Sequence, residues 1–508
     1  MQMMAVEGCL SAGIPLHALG NPVFKDFLLH AGVRLPAAGN LSNYIPVIEK
    51  KEVSRILEEL GDSNYSVCFD GTPYRLECFG IGILFINANG ETTQRLLSLS
   101  MLSKSMDFVA INGEIMKVVV DEFGLKRDRC RAFMLDGCAA NMKALVCLLI
   151  NFRNSVGVRC FSHLLNNCGN ELASQETDRF AGHLHVLLAH SHNAKDLWPR
   201  ETKVAPPKPV SYRWSSRQLR NETFVKVWPG MKTFVDKTTT TEESKSKSAQ
   251  VLREEIGRDR PEGIHQELVL LVGFATAVDA GINLTPATHL LEGDGFLVSI
   301  MYSCCGEGIF FVGNVHMPNV RALARQYTLT LEIDDDGATK RWIENKAREE
   351  TMAVRRYAWD RIGDHDHAKL RDPIRMFEAA RLFNFTYVKL QPLDIPDIEI
   401  LEEVFPFVDL DVVHNLELEK NDYNIAASNA DAGHYRLAFW HDNRMKLPFW
   451  YNVAKDIALI QPSSAFMERG FSILRACLDE RQETCFSDRI RTSALLKYNR
   501  GRKQYFFR

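Results

Sequence analysis

Three acidic residues in distant parts of the chain have the surroundings expected of metal ligands. Asp70 and Asp136 each follow a short apolar run that is typical of a buried strand, and a glycine follows each of them. Glu468 is the single acid in the apolar helical stretch Ala465–Leu474, which begins after a proline and two serines. Because Mg²⁺ prefers oxygen ligands in octahedral geometry, three such carboxylates could together hold divalent metal.

A site of this kind is suited to phosphoryl transfer. Two divalent ions about 4 Å apart activate a water or hydroxyl nucleophile and stabilise the leaving oxygen. Three clustered carboxylates repel one another, so that without metal at least one tends to keep a proton. Each acid taken singly also has a structural interpretation, since Asp-Gly is a common turn dipeptide and Glu468 beside Arg469 is typical of a solvated helix surface.

The elements that must position these acids form an α/β pattern. Apolar runs predict strands at Ser66–Phe69, Phe79–Ile86, Thr93–Met101, Cys130–Leu135 and Val156–Phe161, with helices at 108–123 and 139–152. In this βββαβαβ order the fourth strand follows a helical crossover, so it can lie parallel to the first. Asp70 and Asp136 would then lie side by side at one edge of the sheet.

The rest of the chain is predicted to be mostly helical. We expect a helical or irregular segment at 1–60, the first part of the α/β fold at 61–172, and a large helical insertion at 173–445. A polar run rich in Thr, Ser, Lys and Glu predicts a flexible stretch at 236–262. Helices in 446–508 would close the fold.

Composition limits the classes of function. The 508 residues are 46% hydrophobic and 25% charged, as in soluble globular proteins, and the 12 cysteines are scattered like reduced intracellular thiols. We find neither an apolar run of about 18 residues nor a secretory signal, so no membrane partner is expected. The net charge of −3 counts mildly against DNA as the main partner. However, 446–508 is basic and 391–422 is acidic, so each is either a solvated face or a partner site.

Several motifs in one order resemble those of hAT-superfamily transposases. They are, in chain order, Leu135–Met142, Arg159–Asn167, Tyr212–Ser216 and Gln461–Leu474. The similarity extends from about Tyr65 to Asn499 and is weak in the middle. This resemblance implies an RNase H-like catalytic fold that a helical insertion interrupts before the last acidic helix.

The resemblance also implies roles for individual residues. Asp70, Asp136 and Glu468 match the three catalytic, metal-binding acids of the family, which would use Mg²⁺ or Mn²⁺. The remaining matches are Arg213 and Trp214 of the Arg-Trp motif near the DNA, Cys160 and His163 of the Cys-x-x-His motif, and Asn141 of the Asp-x-x-x-x-Asn motif.

The C-terminal stretch resembles the dimerisation region of the family. Its apolar positions are Ile490, Ala494, Leu495 and Tyr498. These side chains either form a dimer contact, as the family favours, or belong to the core of a single chain.

One family feature is missing from this sequence. Full-length hAT transposases commonly begin with a BED-type zinc finger, but no Cys-x-x-Cys…His-x-His spacing occurs here, so no zinc finger is expected. Two hypotheses remain. The chain is either a nuclear, homodimeric or higher-oligomeric transposase that cuts DNA and transfers strands, or a catalytically silent or truncated derivative that acts as a dimerising chromatin or protein interaction module.

Overall fold

The computed structural model describes residues 1–74, 76–102, 106–172, 174–207, 214–238, 246–257, 266–293, 295–303, 317–330, 337–362, 373–431, 433, 436–477 and 487–501. The chain divides into two compact units. The first comprises Met1–Ser162, Leu291–Tyr302 and His365–Arg508, and the second comprises His163–Leu290 and Ser303–Asp364. The second unit is therefore smaller than the predicted insertion, because the helices that follow Asp364 belong to the first unit.

The first unit is mixed α/β and contains one open five-stranded mixed sheet. Its strands are β1 (Tyr65–Tyr74), β2 (Leu76–Ile86), β3 (Thr92–Leu102), β4 (Cys130–Leu135) and β5 (Val156–Arg159). They lie in the order β3-β2-β1-β4-β5. β1 and β3 pair antiparallel with β2, whereas β4 pairs parallel with both β1 and β5. The predicted parallel neighbours, β1 and β4, are confirmed.

The α-helices of the described residues are, in chain order, α1 (Gln2–Ala12), α2 (Pro22–His30), α3 (Ile45–Leu60), α4 (Phe108–Ile115), α5 (Ala139–Asn151), α6 (Phe161–Glu171), α7 (Gln175–His190), α8 (His192–Thr202), α9 (Trp214–Thr238), α10 (Lys247–Gly257), α11 (Gln266–Leu291), α12 (Val298–Met301), α13 (Pro318–Thr330), α14 (Ala338–Ile362), α15 (Pro373–Ala380), α16 (Phe385–Leu390), α17 (Ile395–Val404), α18 (Leu410–Asn429), α19 (Arg436–Asp442), α20 (Pro448–Ala458), α21 (Ala465–Cys477) and α22 (Ser487–Gly501).

The two faces of the sheet are covered differently. Side chains alternate between faces along a strand, and Val67, Phe69, Phe133 and Leu135 share one hydrophobic core with residues of α3, α4 and α5. The opposite face is covered by α21 and α22. There Gly80 and Gly82 of β2 allow α21 to approach closely. A Cβ on Gly80 would lie 2.2 Å from Met467 Cε, and one on Gly82 would lie 2.1 Å from Phe466 Cζ.

β1 is longer than the sequence predicts. We expected the strand to end before Asp70-Gly71, but it continues to Tyr74 because β2 remains its antiparallel partner through this segment. Asp70 pairs with Gly80, whereas the described pairing with β4 reaches only Phe69. The Asp-Gly dipeptide is therefore a strand position, and the turn interpretation of Asp70 is wrong.

The second unit is helical, with an aromatic core. Phe180 contacts the rings of Phe224, Trp228 and Phe274 at centroid distances between 5.7 and 6.5 Å. The predicted flexible stretch 236–262 is wrong where it covers α10, because Leu252 is fully buried there. Residues 239–245 and 258–262 of that stretch lie outside the described residues. Among the described helices, none alone is long and apolar enough to cross a membrane, and one bent pair, Gln266–Ile282 with Leu284–Leu291, meets the length and composition requirements jointly.

Candidate active site

Asp70 and Asp136 follow paired positions of two neighbouring parallel strands. The β1–β4 register pairs Phe69 with Leu135, and each acid is the next residue of its chain. Because side chains alternate, Asp70 belongs to the same face as Cys68, and Asp136 continues the face of Met134. Cys68 and Met134 line one small cavity under α21. Both acids therefore belong to the α21 side of the sheet, at the same end of β1 and β4.

Local hydrogen bonds orient both carboxylates. Asp70 Oδ1 accepts a hydrogen bond from the Gly71 N–H at 2.8 Å, and Asp136 Oδ1 accepts one from the Gly137 N–H at 2.6 Å. The side chain of Asn141, at the start of α5, donates to the carbonyl oxygen of Asp136 at 3.3 Å. The motif residue Asn141 thus fixes the backbone that carries Asp136.

A guanidinium group packs against Gly137, the residue after Asp136. Arg159 Nη2 at the end of β5 donates to the carbonyl oxygen of Gly137 at 3.0 Å, and a Cβ on Gly137 would lie 2.0 Å from Arg159 Nε. Only glycine leaves room for this packing. Guanidinium groups bind phosphate oxygens with a planar set of donors, so Arg159 is a candidate phosphate ligand. Sequence reasoning did not single out Arg159, although its place directly before Cys160 at the end of a predicted parallel strand is a usable signal.

Glu468 lies in the first turn of α21, the helix that crosses the sheet near Asp70. Its neighbour Met467 packs against Gly80, the residue that pairs with Asp70. Arg469 is not a solvated cation. Its guanidinium donates to the carbonyl oxygen of Glu292 and to Gln94 Oε1, both at 3.0 Å. These contacts fix α21 on the face of the sheet that carries both aspartates.

The donor set fits a hard divalent cation, because all three candidate ligands are carboxylates. Within the described ranges, no group of three or more His, Cys, Asp or Glu side chains is arranged to hold a metal ion. The structure places Asp70 on β1, Asp136 directly after the adjacent strand β4, and Glu468 on the helix that crosses the sheet. Metal coordination by all three remains a prediction.

Cys68 is the buried neighbour of the candidate ligands. It is fully buried, and burial together with the adjacent negative charge of Asp70 holds the pKa of its thiol well above the usual range. A neutral thiol of this kind packs as a small apolar group.

The Cys-x-x-His residues belong to different units. Cys160 is buried in the first unit, where its Sγ accepts a hydrogen bond from the Ser464 N–H at 3.2 Å. His163 is half-buried on α6 and belongs to the second unit. Arg213 lies outside the described residues, and Trp214 begins α9, with its side chain among those not described. The proposed DNA contact of Arg213 and Trp214 therefore stays a prediction.

The four apolar residues of the expected dimerisation region are buried within the single chain. They are Ile490, Ala494, Leu495 and Tyr498. The Tyr498 ring lies 5.5 Å from the Phe466 ring between centroids, and α22 also packs against α1. Within the single chain these four side chains therefore belong to the core, which is one of the two interpretations left open by the sequence. A dimer contact stays a prediction.

In comparisons with known proteins, no family model matched this sequence. No curated protein showed significant similarity to it.

Proposed function

We propose that the chain is an hAT-type transposase-like protein that cuts DNA and transfers the strand with a metal-dependent, three-carboxylate site. One observation carries this proposal. Asp70 and Asp136 each directly follow a member of the Phe69–Leu135 pair between β1 and β4, and α21, the helix of Glu468, crosses the face of the sheet to which both acids belong. The βββαβαβ order of the first unit supports the RNase H-like fold that the resemblance implies. A second, helical unit inserted before α21 supports it as well.

Each part of the site then has a role in phosphoryl transfer. Asp70, Asp136 and Glu468 would hold Mg²⁺ or Mn²⁺, which supplies an activated nucleophile and stabilises the leaving oxygen. Gly71 and Gly137 each donate an N–H to one oxygen of the preceding aspartate, and these bonds would orient the two carboxylates toward a shared ligand. Arg159, anchored on Gly137, would bind a phosphate oxygen of the DNA backbone.

Homodimer formation and nuclear action belong to the same proposal and follow from the resemblance alone. Because Ile490, Ala494, Leu495 and Tyr498 are buried against their own chain, a dimer would use other surfaces of the C-terminal region.

Cleavage of labelled duplex DNA in Mg²⁺ or Mn²⁺ tests the proposal. We expect D136N to lose activity, because an amide is a poorer ligand than a carboxylate. The matched control is D121N, which makes the same chemical change at an exposed position of the π-helical segment Met116–Glu122 that continues α4. A folded wild type without cleavage, or a D136N variant as active as D121N, would contradict the proposal and favour the interaction module.

A further inference from the structure

The end of β5 joins the segments that carry two of the candidate ligands. The Cys160 N–H donates to the carbonyl oxygen of Leu135, the residue before Asp136, at 2.8 Å. The next residue, Phe161, donates its N–H to the carbonyl oxygen of Pro462 at 2.8 Å. Pro462 lies in the loop that leads into α21. One short corner of backbone therefore bridges the strand of Asp136 and the helix of Glu468.

The Cys160 thiol extends this bridge into the N-terminus of α21. Its Sγ accepts from the Ser464 N–H at 3.2 Å and lies 4.0 Å from Ser463 Oγ, to which the S–H donates. Ser463 Oγ accepts from the Ala465 N–H at 3.0 Å. The first N–H groups of a helix lack intrahelical partners and need such acceptors. Cys160 and Ser464 are buried, so water does not compete for these bonds.

We propose that Cys160 is a positioning residue whose thiol fixes the N-terminus of α21 and hence the direction in which Glu468 presents its carboxylate. This inference rests on the proposed function, since only a metal-binding Glu468 gives that direction a role. Glu468 lies in the first turn of α21, so a rotation of the helix start moves its side chain directly. The competing interpretation is that the thiol merely fills space, as the buried Cys78 does in β2.

Mn²⁺ affinity of the full chain, measured from the electron paramagnetic resonance signal of free Mn²⁺, separates the two interpretations. We expect C160A to bind Mn²⁺ about tenfold more weakly, the size typical of losing a residue that orients a metal ligand. C160S keeps an acceptor for the Ser464 N–H and should recover part of this loss. C78A removes a buried thiol from the same unit and should bind like the wild type. Urea denaturation should show that C160A and C78A lower the free energy of unfolding by similar amounts.

The controls distinguish failure of the inference from failure of the proposed function. If D136N weakens Mn²⁺ binding while C160A binds like C78A, Cys160 does not position Glu468 and the inference is overturned. A C160S variant as weak as C160A would also count against the acceptor role. If the wild type binds no Mn²⁺, or D136N binds as tightly as the wild type, the metal site itself is wrong and the inference falls with it.

Discussion

Adding one methyl group at Gly82 should separate α21 from the sheet. A Cβ there would lie 2.1 and 2.4 Å from two ring atoms of Phe466 and 3.0 Å from the carbonyl oxygen of Arg95. Ordinary contacts begin at 3.4 Å, so the ring and the strand must move apart by 3.4 − 2.1 = 1.3 Å. Phe466 is buried against Tyr498, so its ring has little room to withdraw.

The expected cost of G82A follows from these contacts. Overpacking a core typically costs about 1–3 kcal/mol, and the upper end applies where a ring and a backbone atom are both met. Replacing glycine by alanine returns about 0.4–1 kcal/mol through the unfolded chain. We therefore expect G82A to lower the free energy of unfolding by about 2 kcal/mol.

Two further glycines calibrate this prediction. At Gly80 the closest atom is the end of the flexible Met467 side chain, and the next atoms lie at 3.2 and 3.3 Å, so G80A should cost less, about 0–1 kcal/mol. Gly113 in α4 is exposed and has nothing within 4 Å of an added Cβ, so G113A should be stabilising by about 0.5–1 kcal/mol.

Hydrogen exchange of the β2 backbone amides, followed by mass spectrometry, reports on the first unit specifically. For amides that exchange through unfolding of this unit, 2 kcal/mol corresponds to about 30-fold faster exchange in G82A than in the wild type. The close packing of α21 on β2 would be refuted if G82A exchanged within twofold of the wild type, or if G80A were the more destabilised of the two.

The remaining predictions concern how α22 is held. The Asn499 side chain accepts a hydrogen bond from the Leu96 N–H at 2.8 Å and donates one to the Leu96 carbonyl oxygen at 3.0 Å. The N499A variant should therefore leave two buried backbone groups unpaired and lower the free energy of unfolding, measured by urea denaturation, by about 2–4 kcal/mol. The control N151A, at an exposed position, should cost less than about 1 kcal/mol. Burial raises the pKa values of Glu7 and Glu52, but the hydrogen bonds and charges of Arg500 and other cations outweigh burial and lower both. Their ionised forms therefore stabilise the fold above about pH 4.5, and this stability is lost as the pH falls through the lower folded pKa values. R500M should be less stable at pH 7, and its free energy of unfolding should decline less on acidification; an acid dependence identical to that of the wild type would contradict the pairing.

Local patterns predicted part of this fold from the sequence. Cys130–Leu135 is a strand with the predicted bounds, because an apolar run of this length beside turn signals has few alternatives. Asp70-Gly71 was misread since the preference of this dipeptide for turns is weaker than the pairing of β1 with its partner β2.

Contacts between distant segments could not be predicted. Helical periodicity identifies the buried face of a helix but not the core that it joins, which is why the helices after Asp364 were assigned to the insertion. Similarly, the motif identified Cys160 without revealing that its partner is Ser464, 304 residues away. The adjacency of Asp70 and Asp136 could be predicted, because a parallel pairing through a helical crossover follows from element order.

The most direct test of the central claim is to map the metal site by Fe²⁺-mediated cleavage of the polypeptide. Fe²⁺ bound in place of Mg²⁺ generates hydroxyl radicals in the presence of ascorbate and peroxide, and these cut the backbone nearby. Our account predicts cuts near Asp70, Asp136 and Glu468 in the same sample, suppressed both by excess Mg²⁺ and by D70N. An absence of cuts at these three segments, or cuts that neither Mg²⁺ nor D70N reduces, would contradict it.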